Sequence, residues 1–221
     1  MNFKLYNFTP DSIEVPLSQV LRYMGCPADA GEEMTSLALR AIGGFKPDYK
    51  ACCRMAEVVT TDDGAFIGTL FAPGRDIAKN LENCQRAVVF AATVGLDCDR
   101  QKTRAAVTSQ AMALALDAAG SAAAEALCDR LCQDWKNEFK KIGLFLRPRF
   151  SPGYGDMPLD FQKPLLEYLD AGRCIGVTLT NGMLMTPTKT VTAIAGLGGA
   201  GCERDGECRG CGKADCIFKL T

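Results

Sequence analysis

The ten-residue segment from Arg149 to Pro158 combines residue types that suit a ligand-binding loop. Arg149 offers a planar, always charged guanidinium that can hold a carboxylate through two hydrogen bonds. Pro152 fixes one backbone angle and Gly153 permits a positive φ, so the chain can turn sharply beside a bound molecule. Tyr154 adds a flat apolar ring with a polar tip, which suits a sugar or a base. The competing interpretation is an ordinary turn with an exposed arginine and a packing tyrosine.

Four cysteines close to the C-terminus have the spacing of a metal or cluster site. They form C-x5-C-x2-C-x4-C, with glycines beside and between them: Cys202, Cys208, Cys211 and Cys216. Because the sequence contains no histidine, the predicted site is all-thiolate, which suits structural Zn²⁺ or an iron–sulfur cluster. The spacing differs from the C-x3-C-x2-C of radical enzymes. A zinc knuckle that only stiffens the terminus is the simpler alternative.

The remaining eight cysteines lie in apolar contexts and are predicted to be small core residues. They are Cys26, Cys52, Cys53, Cys84, Cys98, Cys128, Cys132 and Cys174. The N-terminus shows no secretion signal and no apolar run reaches the roughly 20 residues that span a bilayer. We therefore expect a cytoplasmic protein with reduced thiols and no membrane partner. A net charge of −1 gives no reason to expect nucleic-acid binding.

Regular elements can be predicted along most of the chain. Helices are expected over Leu17 to Met24, Gly31 to Ile42 and 159–169, with a helical turn at 76–81. One long or once-broken helix is expected from about Gln101 to Lys141. Strands are expected over 51–60, 65–72, 86–94, 174–180 and 189–197. Strands at both ends with long helices between them, and no regular βαβ alternation, predict an α+β fold with a twisted, largely antiparallel sheet. We expect one domain over 1–200 and a cysteine segment over 201–221.

On the predicted long helix, three polar residues four apart share one face. Asp117, Ser121 and Glu125 stand among alanines and a glycine, whose small side chains let a ligand or another backbone approach closely. Glu125 is the better candidate for a ligand contact. Asp129 and Gln133 continue the same row, so a solvated stripe is the alternative.

Two segments in this order resemble the activation domain of cobalamin-dependent methionine synthase. The family pattern Arg-x-x-x-Gly-Tyr, with a proline four residues further on, is matched by Arg149, Gly153, Tyr154 and Pro158. The later Gly-hydrophobic-x-Leu-Thr and Met-x-Pro-x-x-Ser-Val-Ser patterns are matched by 176–180, Met185, Pro187 and 190–192. The similarity extends over roughly residues 105 to 200, and it implies an activation-domain-like fold.

The resemblance also implies a ligand and a partner. In that family the domain binds S-adenosylmethionine, whose methyl group repairs a cobalamin that has slipped into the cob(II) state, after a one-electron reduction. Carried over, Arg149 would hold the methionine carboxylate, Glu125 its ammonium, and Pro152, Gly153, Tyr154 and Pro187 would lie against the ligand. The aromatic pair that the family places after the last strand motif falls here on Ala195 and Gly196.

Two functions from different classes follow. The first is a free-standing methyltransferase component that supports reductive methylation of cobalamin on methionine synthase or another corrinoid protein. The chain is too short to hold that enzyme's catalytic and cobalamin modules. On this interpretation a [4Fe-4S] cluster is favoured over zinc, because reactivation needs a low-potential electron. The second is a cysteine-cluster interaction or electron-transfer protein that keeps the fold without binding S-adenosylmethionine.

Overall fold

A curled antiparallel sheet of seven strands organises the chain in the computed structural model, which describes residues 3–27 and 29–200. The strands are β1 Phe3–Phe8, β2 Tyr49–Thr61, β3 Gly64–Ile67, β4 Leu70–Pro73, β5 Arg86–Thr93, β6 Phe145–Leu146, β7 Thr178–Leu179, β8 Met185–Thr186 and β9 Thr190–Gly198, of which β7 and β8 form a separate hairpin. The helices are α1 Leu17–Tyr23, α2 Glu32–Ile42, α3 Arg75–Asn80, α4 Asp97–Thr108, α5 Gln110–Lys140, α6 Gln162–Leu169 and α7 Ala171–Ile175.

The long strand β2 determines the strand order. Along one edge β2 pairs with β5, and along its other edge it pairs first with β1 and then with β3. The remaining strands extend the sheet outward, giving the order β4-β3-β2-β5-β9-β6. Every pairing is antiparallel, so the predicted α+β fold with an antiparallel sheet is confirmed.

Helices cover both faces of the sheet and create two cores. The first core lies against α1, α2 and α5 and is built around Trp135 and Phe90. The second core lies against α3, α6 and α7 and includes Val89 and Leu165. Neighbouring residues Val89 and Phe90 belong to different cores because successive side chains of a strand point to opposite faces. A sheet buried on both faces explains the nearly continuous apolar run of β5.

The long helix α5 is the main support of the first core. Ser109 separates it from α4, and the Ser109 hydroxyl accepts a hydrogen bond from the Met112 N–H at 3.2 Å, capping the new helix. The predicted once-broken helix is therefore confirmed. By length and composition α5 could cross a membrane, but 61% of its most apolar 18-residue window is buried inside the protein. Its apolar residues thus serve the first core.

Two predicted strands need correction, and one strand was not predicted. The strand predicted over 174–180 is mostly wrong, because α7 continues to Ile175, Gly176 ends it with φ of 71°, and only Thr178–Leu179 are extended. The strand predicted over 65–72 is divided into β3 and β4, since Gly68 turns the chain with φ of 59°. Strand β1 was not predicted; it is held by its pairing with β2 and by a 2.8 Å hydrogen bond from Trp135 Nε1 to the Tyr6 hydroxyl.

The scattered cysteines behave largely as predicted. Six of the eight are buried, and Cys26 and Cys174 are half-buried. Burial raises the pKa of the Cys52 and Cys98 thiols to about 12 and that of Cys53 to about 11. These three thiols therefore stay protonated at neutral pH and act as small core side chains.

Gly120 provides a test of packing in the first core. A methyl group there would lie 2.3 Å from Cys98 Sγ and 3.0 Å from Lys189 Cγ. We expect Gly120→Ala to lower the free energy of unfolding by about 1–3 kcal/mol, although alanine favours a helix. Chemical denaturation measures the change. Gly172→Ala is the control, since its methyl group would meet only Val177 O at 3.7 Å. If Gly120→Ala is as stable as wild type, this close packing is not required.

Candidate ligand-binding site

A bulge at the sheet edge places Arg149 beside α5. Leu146 pairs with Leu197, and Phe150 pairs with Ile194, so the edge chain advances four residues while β9 advances three. The extra residue falls around Pro148, which has no N–H to donate to the sheet. Because of this shift, Arg147 and Arg149 reach opposite faces. Arg147 Nη2 donates to Glu82 O at 2.6 Å, whereas Arg149 points to α5.

Arg149 forms an ionic cluster with two carboxylates of α5. Its Nη2 donates to Glu125 Oε2 at 3.1 Å and to Asp129 Oδ1 at 2.8 Å. The Arg149 side chain is only 15% exposed, whereas that of Asp129 is 60% exposed. Both contacts use one terminal nitrogen, so three N–H donors, on Nε and Nη1, lie outside them. Both two-point edges of the guanidinium include Nη2, so a second carboxylate can make a two-point contact only by replacing Glu125 or Asp129 at that nitrogen.

Arg149 keeps its charge at neutral pH. Burial works against the charge of Arg149, but the neighbouring Cys128, Glu125, Cys132 and Asp129 raise the pKa of the guanidinium well above its ordinary value. Burial also raises the pKa of the Cys128 thiol strongly, so this thiol is neutral at neutral pH. One cation thus faces two carboxylates, and the excess negative charge favours a ligand that carries an ammonium group.

The polar row on α5 divides into two separate groups. Lys189 Nζ lies 2.9 Å from Asp117 Oδ1 and 2.9 Å from Ser121 Oγ. Glu125 and Asp129 instead bind Arg149. The row is therefore not a uniformly solvated stripe, and Glu125 contacts Arg149, the other charged residue that the sequence predicted for the ligand site. Asp129, assigned to the solvated alternative, belongs to the same cluster.

The turn after Arg149 has a fixed backbone. Gly153 adopts φ of 88°, as its type permits, and its N–H donates to Met157 O at 3.0 Å. The Met157 N–H donates back to Tyr154 O at 3.0 Å, and the Met157 side chain is buried in the second core. Pro152 is buried, whereas Tyr154 is 66% exposed. The turn thus presents the Tyr154 ring at the surface.

Asp156 anchors this turn to the start of α3, which sequence reasoning did not foresee. Asp156 Oδ2 accepts from the Arg75 N–H at 2.7 Å, and its Oδ1 accepts from the Asp76 N–H at 3.0 Å. The approach is close, since a methyl group on Gly74 would lie 2.6 Å from Asp156 Oδ1 and one on Gly155 2.4 Å from Asp76 Oδ2. Two glycines with positive φ therefore allow the contact.

Tyr23 is a second residue that sequence reasoning missed. It ends α1, which packs against α5 in the first core. Burial raises the pKa of the half-buried Tyr23 hydroxyl, and the negative charges of Glu125 and Tyr154 raise it further, while Arg22 lowers it. The pKa of this phenol therefore lies above its usual range.

Pro187 lies apart from these residues. Its carbonyl accepts a hydrogen bond from Thr190 Oγ1 at 2.7 Å, at the start of β9. Arg149 is next to Phe150, which pairs with Ile194 four residues further along β9, a separation of roughly 13 Å in a strand. The structure thus joins Arg149 to Glu125, continues through Gly153 and Tyr154 in the same loop, and places Pro187 just before the start of β9.

Small buried residues stand at 195 and 196, the two positions where the resembled family has an aromatic pair. Ala195 is buried in the first core, and Gly196 is buried on the opposite face of β9. A methyl group on Gly196 would lie 2.6 Å from Cys84 Sγ and 2.9 Å from Leu81 Cδ2. The structure thus has no room for an aromatic side chain at 196 without repacking.

The described residues offer no metal centre. No group of three or more cysteine, aspartate or glutamate side chains within residues 3–27 and 29–200 is arranged to hold a metal ion. The predicted ligands Cys202, Cys208, Cys211 and Cys216 lie outside these residues. One cavity, of about 620 Å³, is lined by residues of α6 and α7 and of the segment 177–183. Another, of about 580 Å³, is lined by 57–59, 84–86, Leu144 and Leu197. At the Arg149 cluster, exposure increases from the arginine at 15% to Asp129 at 60%.

Comparison with known proteins agrees with this geometry at the level of fold. No protein-family model matches the chain, and no curated protein matches it. Among solved structures, the chain is similar to the crystal structure of the MetH reactivation domain bound to AdoHcy, with a TM-score of 0.65. The chain has the reactivation-domain fold. The match covers 89% of this chain and 78% of that one, at 11% identity, so the resemblance inferred from the sequence is confirmed as a likeness of fold.

The anchor at Asp156 predicts a pH-dependent stability. Hydrogen bonds from the Asp76 N–H and then the Arg75 N–H lower the pKa of Asp156 below its ordinary value of 3.8. A carboxyl group whose pKa is lower in the folded state stabilises the fold at pH values above its unfolded pKa. This stabilisation is lost as the pH falls through the folded-state pKa. We therefore expect Asp156→Ala to be less stable than wild type well above pH 3.8, with the difference disappearing in acid.

Denaturation at a series of pH values measures this difference. Asp160→Ala, which removes a carboxylate from the neighbouring 3-10 turn, is the control. A constant difference between wild type and Asp156→Ala down to the lowest pH would contradict the ionic anchor.

Proposed function

We propose that this protein binds S-adenosylmethionine at the Arg149 cluster. Bound there, it would serve as a reactivation module for reductive methylation of cob(II)alamin on a corrinoid protein, with cobalamin-dependent methionine synthase as one candidate partner. The observation that carries the proposal is the pairing of Arg149 with Glu125 and with the 60% exposed Asp129, on a fold similar to that of a domain bound to AdoHcy. S-adenosylmethionine would supply an electrophilic methyl group on a sulfonium.

The residues present fit the amino-acid end of this ligand. The α-carboxylate would bind the Nη1–Nη2 edge of Arg149 in place of Asp129, whose side chain is 60% exposed, and Glu125 suits the α-ammonium. Gly153 leaves space for a close approach, because the nearest contact of an added methyl group would be Leu159 Cδ1 at 3.3 Å. Tyr154 offers an exposed ring face next to this point. Pro187 would act only indirectly, by fixing the start of β9.

The four C-terminal cysteines are proposed to bind a metal. Their donor set is all-thiolate, which suits a [4Fe-4S] cluster or zinc. A redox cluster would give the chain its own source of the low-potential electron that reactivation requires, whereas zinc would only stabilise the segment. We favour the cluster, and we propose that the protein is cytoplasmic and acts as a methyltransferase component.

A second candidate function is supported by the packing of β9. Because Ala195 and Gly196 are buried where the resembled family has ligand-binding aromatics, the fold could be kept without the ligand. The protein would then be a cysteine-cluster interaction or electron-transfer protein. Ligand binding separates the two functions, since only the first requires it.

Arg149→Lys tests the ligand site. Lysine keeps the positive charge beside Glu125 and Asp129 but cannot make the two-point contact to a carboxylate. We expect the affinity for S-adenosylhomocysteine, measured by calorimetry, to fall by about 1.5–3 kcal/mol with little change in melting temperature. Arg173→Lys is the control, since the Arg173 side chain is 82% exposed and pairs with Asp170. Unchanged affinity in Arg149→Lys would remove Arg149 from the site.

The terminal cysteines are tested by metal analysis and an anaerobic absorption spectrum. A redox cluster predicts brown protein with iron and sulfide, and Cys208→Ala with Cys211→Ala should abolish the colour while S-adenosylhomocysteine still binds. Zinc predicts colourless protein with about one zinc per chain. The control is the pair Cys26→Ala and Cys174→Ala, which removes two half-buried cysteines outside the motif. Metal-free protein with four titratable thiols would contradict both versions.

A further inference from the structure

We infer that the cavity between α6, α7 and the β7–β8 hairpin binds a free α-amino acid with a large apolar side chain. None of its lining residues belongs to the Arg149 cluster or to the turn after it. The site therefore goes beyond the proposed function and does not depend on it. Three observations support it: an apolar wall fixed by the second core, two lining residues with a strained backbone, and one charge of each sign available to a ligand.

The apolar wall of the cavity is held in place by the second core. Leu166 of α6, Ala171 of α7 and Val177 line the cavity and are buried in that core. The Val177 N–H donates to Ala171 O at 3.3 Å, which ties the segment before the hairpin to α7. The volume of about 620 Å³ falls within the range of small-molecule sites, about 300–1,000 Å³. An apolar side chain of a ligand can therefore bind against these three residues.

Two lining residues adopt a left-handed backbone that residues with side chains rarely adopt. Three non-glycine residues in the described part of the chain have a positive φ, and two of them, Asp170 at 50° and Met183 at 59°, line this cavity. Gly182 directly precedes Met183, so the glycine of the hairpin is one position away from the left-handed one. Strained residues of this kind cluster at ligand sites. A glycine at 183 would suit the turn better, so the methionine points to a role in the cavity.

The hydrogen bonds of the hairpin turn hold Met183 in this conformation. The Thr180 N–H donates to Leu184 O at 2.9 Å, and the Met183 N–H donates to Thr180 O at 3.0 Å. The Leu184 N–H donates in turn to Thr180 Oγ1 at 3.2 Å. The half-buried Met183 side chain is thus a preformed part of the cavity wall, which lowers the ordering cost of binding.

Lys163 and Glu167 supply one positive and one negative charge to the cavity. They stand four residues apart on α6, so they share a face and lie about 6 Å apart along the helix axis. Neither side chain makes an ion pair or a hydrogen bond with any residue that the structure describes. Asp170, the third charged lining residue, already accepts from Arg173 Nε at 2.6 Å. The cavity thus offers one cation and one anion to a ligand.

This pair of charges matches the zwitterion of a free amino acid. The α-carboxylate can accept from the Lys163 ammonium while the α-ammonium donates to Glu167, each through a charge-assisted hydrogen bond. The apolar side chain then lies against Leu166 and Val177. A ligand that carries only one of the two charges leaves Lys163 or Glu167 without a contact to the ligand, so it should bind more weakly.

Calorimetry with L-phenylalanine and two analogues tests the inference. Phenylalaninamide lacks the carboxylate, and 3-phenylpropanoate lacks the ammonium. We expect each analogue to bind wild type about 5-fold or more weakly than L-phenylalanine, since one charged hydrogen bond is lost. Lys163→Gln should weaken L-phenylalanine but not phenylalaninamide. Glu167→Gln should weaken L-phenylalanine but not 3-phenylpropanoate.

Met183→Gly tests the strained part of the wall. Glycine accepts a φ of 59° without strain, so the melting temperature should rise. The affinity for L-phenylalanine should nevertheless fall by about 3-fold or more, because apolar contact area is lost. Lys79→Gln and Glu33→Gln are the matched controls, since both side chains are exposed and lie outside the cavity.

No binding of L-phenylalanine by wild type, equal binding of all three ligands, or wild-type affinity in Lys163→Gln, Glu167→Gln or Met183→Gly would overturn the inference. The titration is repeated with excess S-adenosylhomocysteine, and competition between the two ligands would place L-phenylalanine at Arg149 and overturn the inference as well. The proposed function is measured separately, by the binding of S-adenosylhomocysteine, so either conclusion can fail while the other stands.

Discussion

The charge on Arg149 has to be compensated, because its guanidinium is only 15% exposed between an edge strand and a helix. A buried cation without partners would be strongly destabilising. Glu125 and Asp129 provide the compensation, and both come from α5 at the i and i+4 spacing that places them on one face. The position of α5 against the sheet is therefore linked to the geometry of the cluster, and the small residues of the helix allow the close approach.

The bulge around Pro148 connects this cluster to the other half of the site. Before the bulge, the Arg147 side chain donates to Glu82 O. After the bulge, the Arg149 side chain contacts α5 on the side of the first core, and Phe150 packs against the second core. The turn that follows is anchored in the second core by Met157 and on α3 by Asp156. The site thus lies at the sheet edge where both layers meet, with its ionic part on one layer and its aromatic turn on the other.

The sequence was sufficient for features that depend on local chemistry. Alanine content and the absence of proline identified α5, and the Arg149 to Tyr154 motif identified the cluster and the turn. It was insufficient where distant segments meet: Asp156 accepts hydrogen bonds from the Arg75 and Asp76 N–H groups, about eighty residues away. The strand predicted over 174–180 failed for a local reason, since Gly176 takes a left-handed conformation that ends α7. Pro187 matched a motif, but its place at the far end of β9 is a property of the fold.

The small residues of β9 have consequences on both faces of the sheet. Ala193 and Ala195 let α5 approach in the first core, and Gly196 lets Cys84 and Leu81 approach in the second. Aromatic side chains at 195 and 196 would separate these layers and would shift the edge chain that carries Arg149. The close packing of β9 is therefore incompatible with aromatic side chains at 195 and 196 in this chain. An aromatic ring that contacts a ligand beside Arg149 would therefore have to come from outside β9.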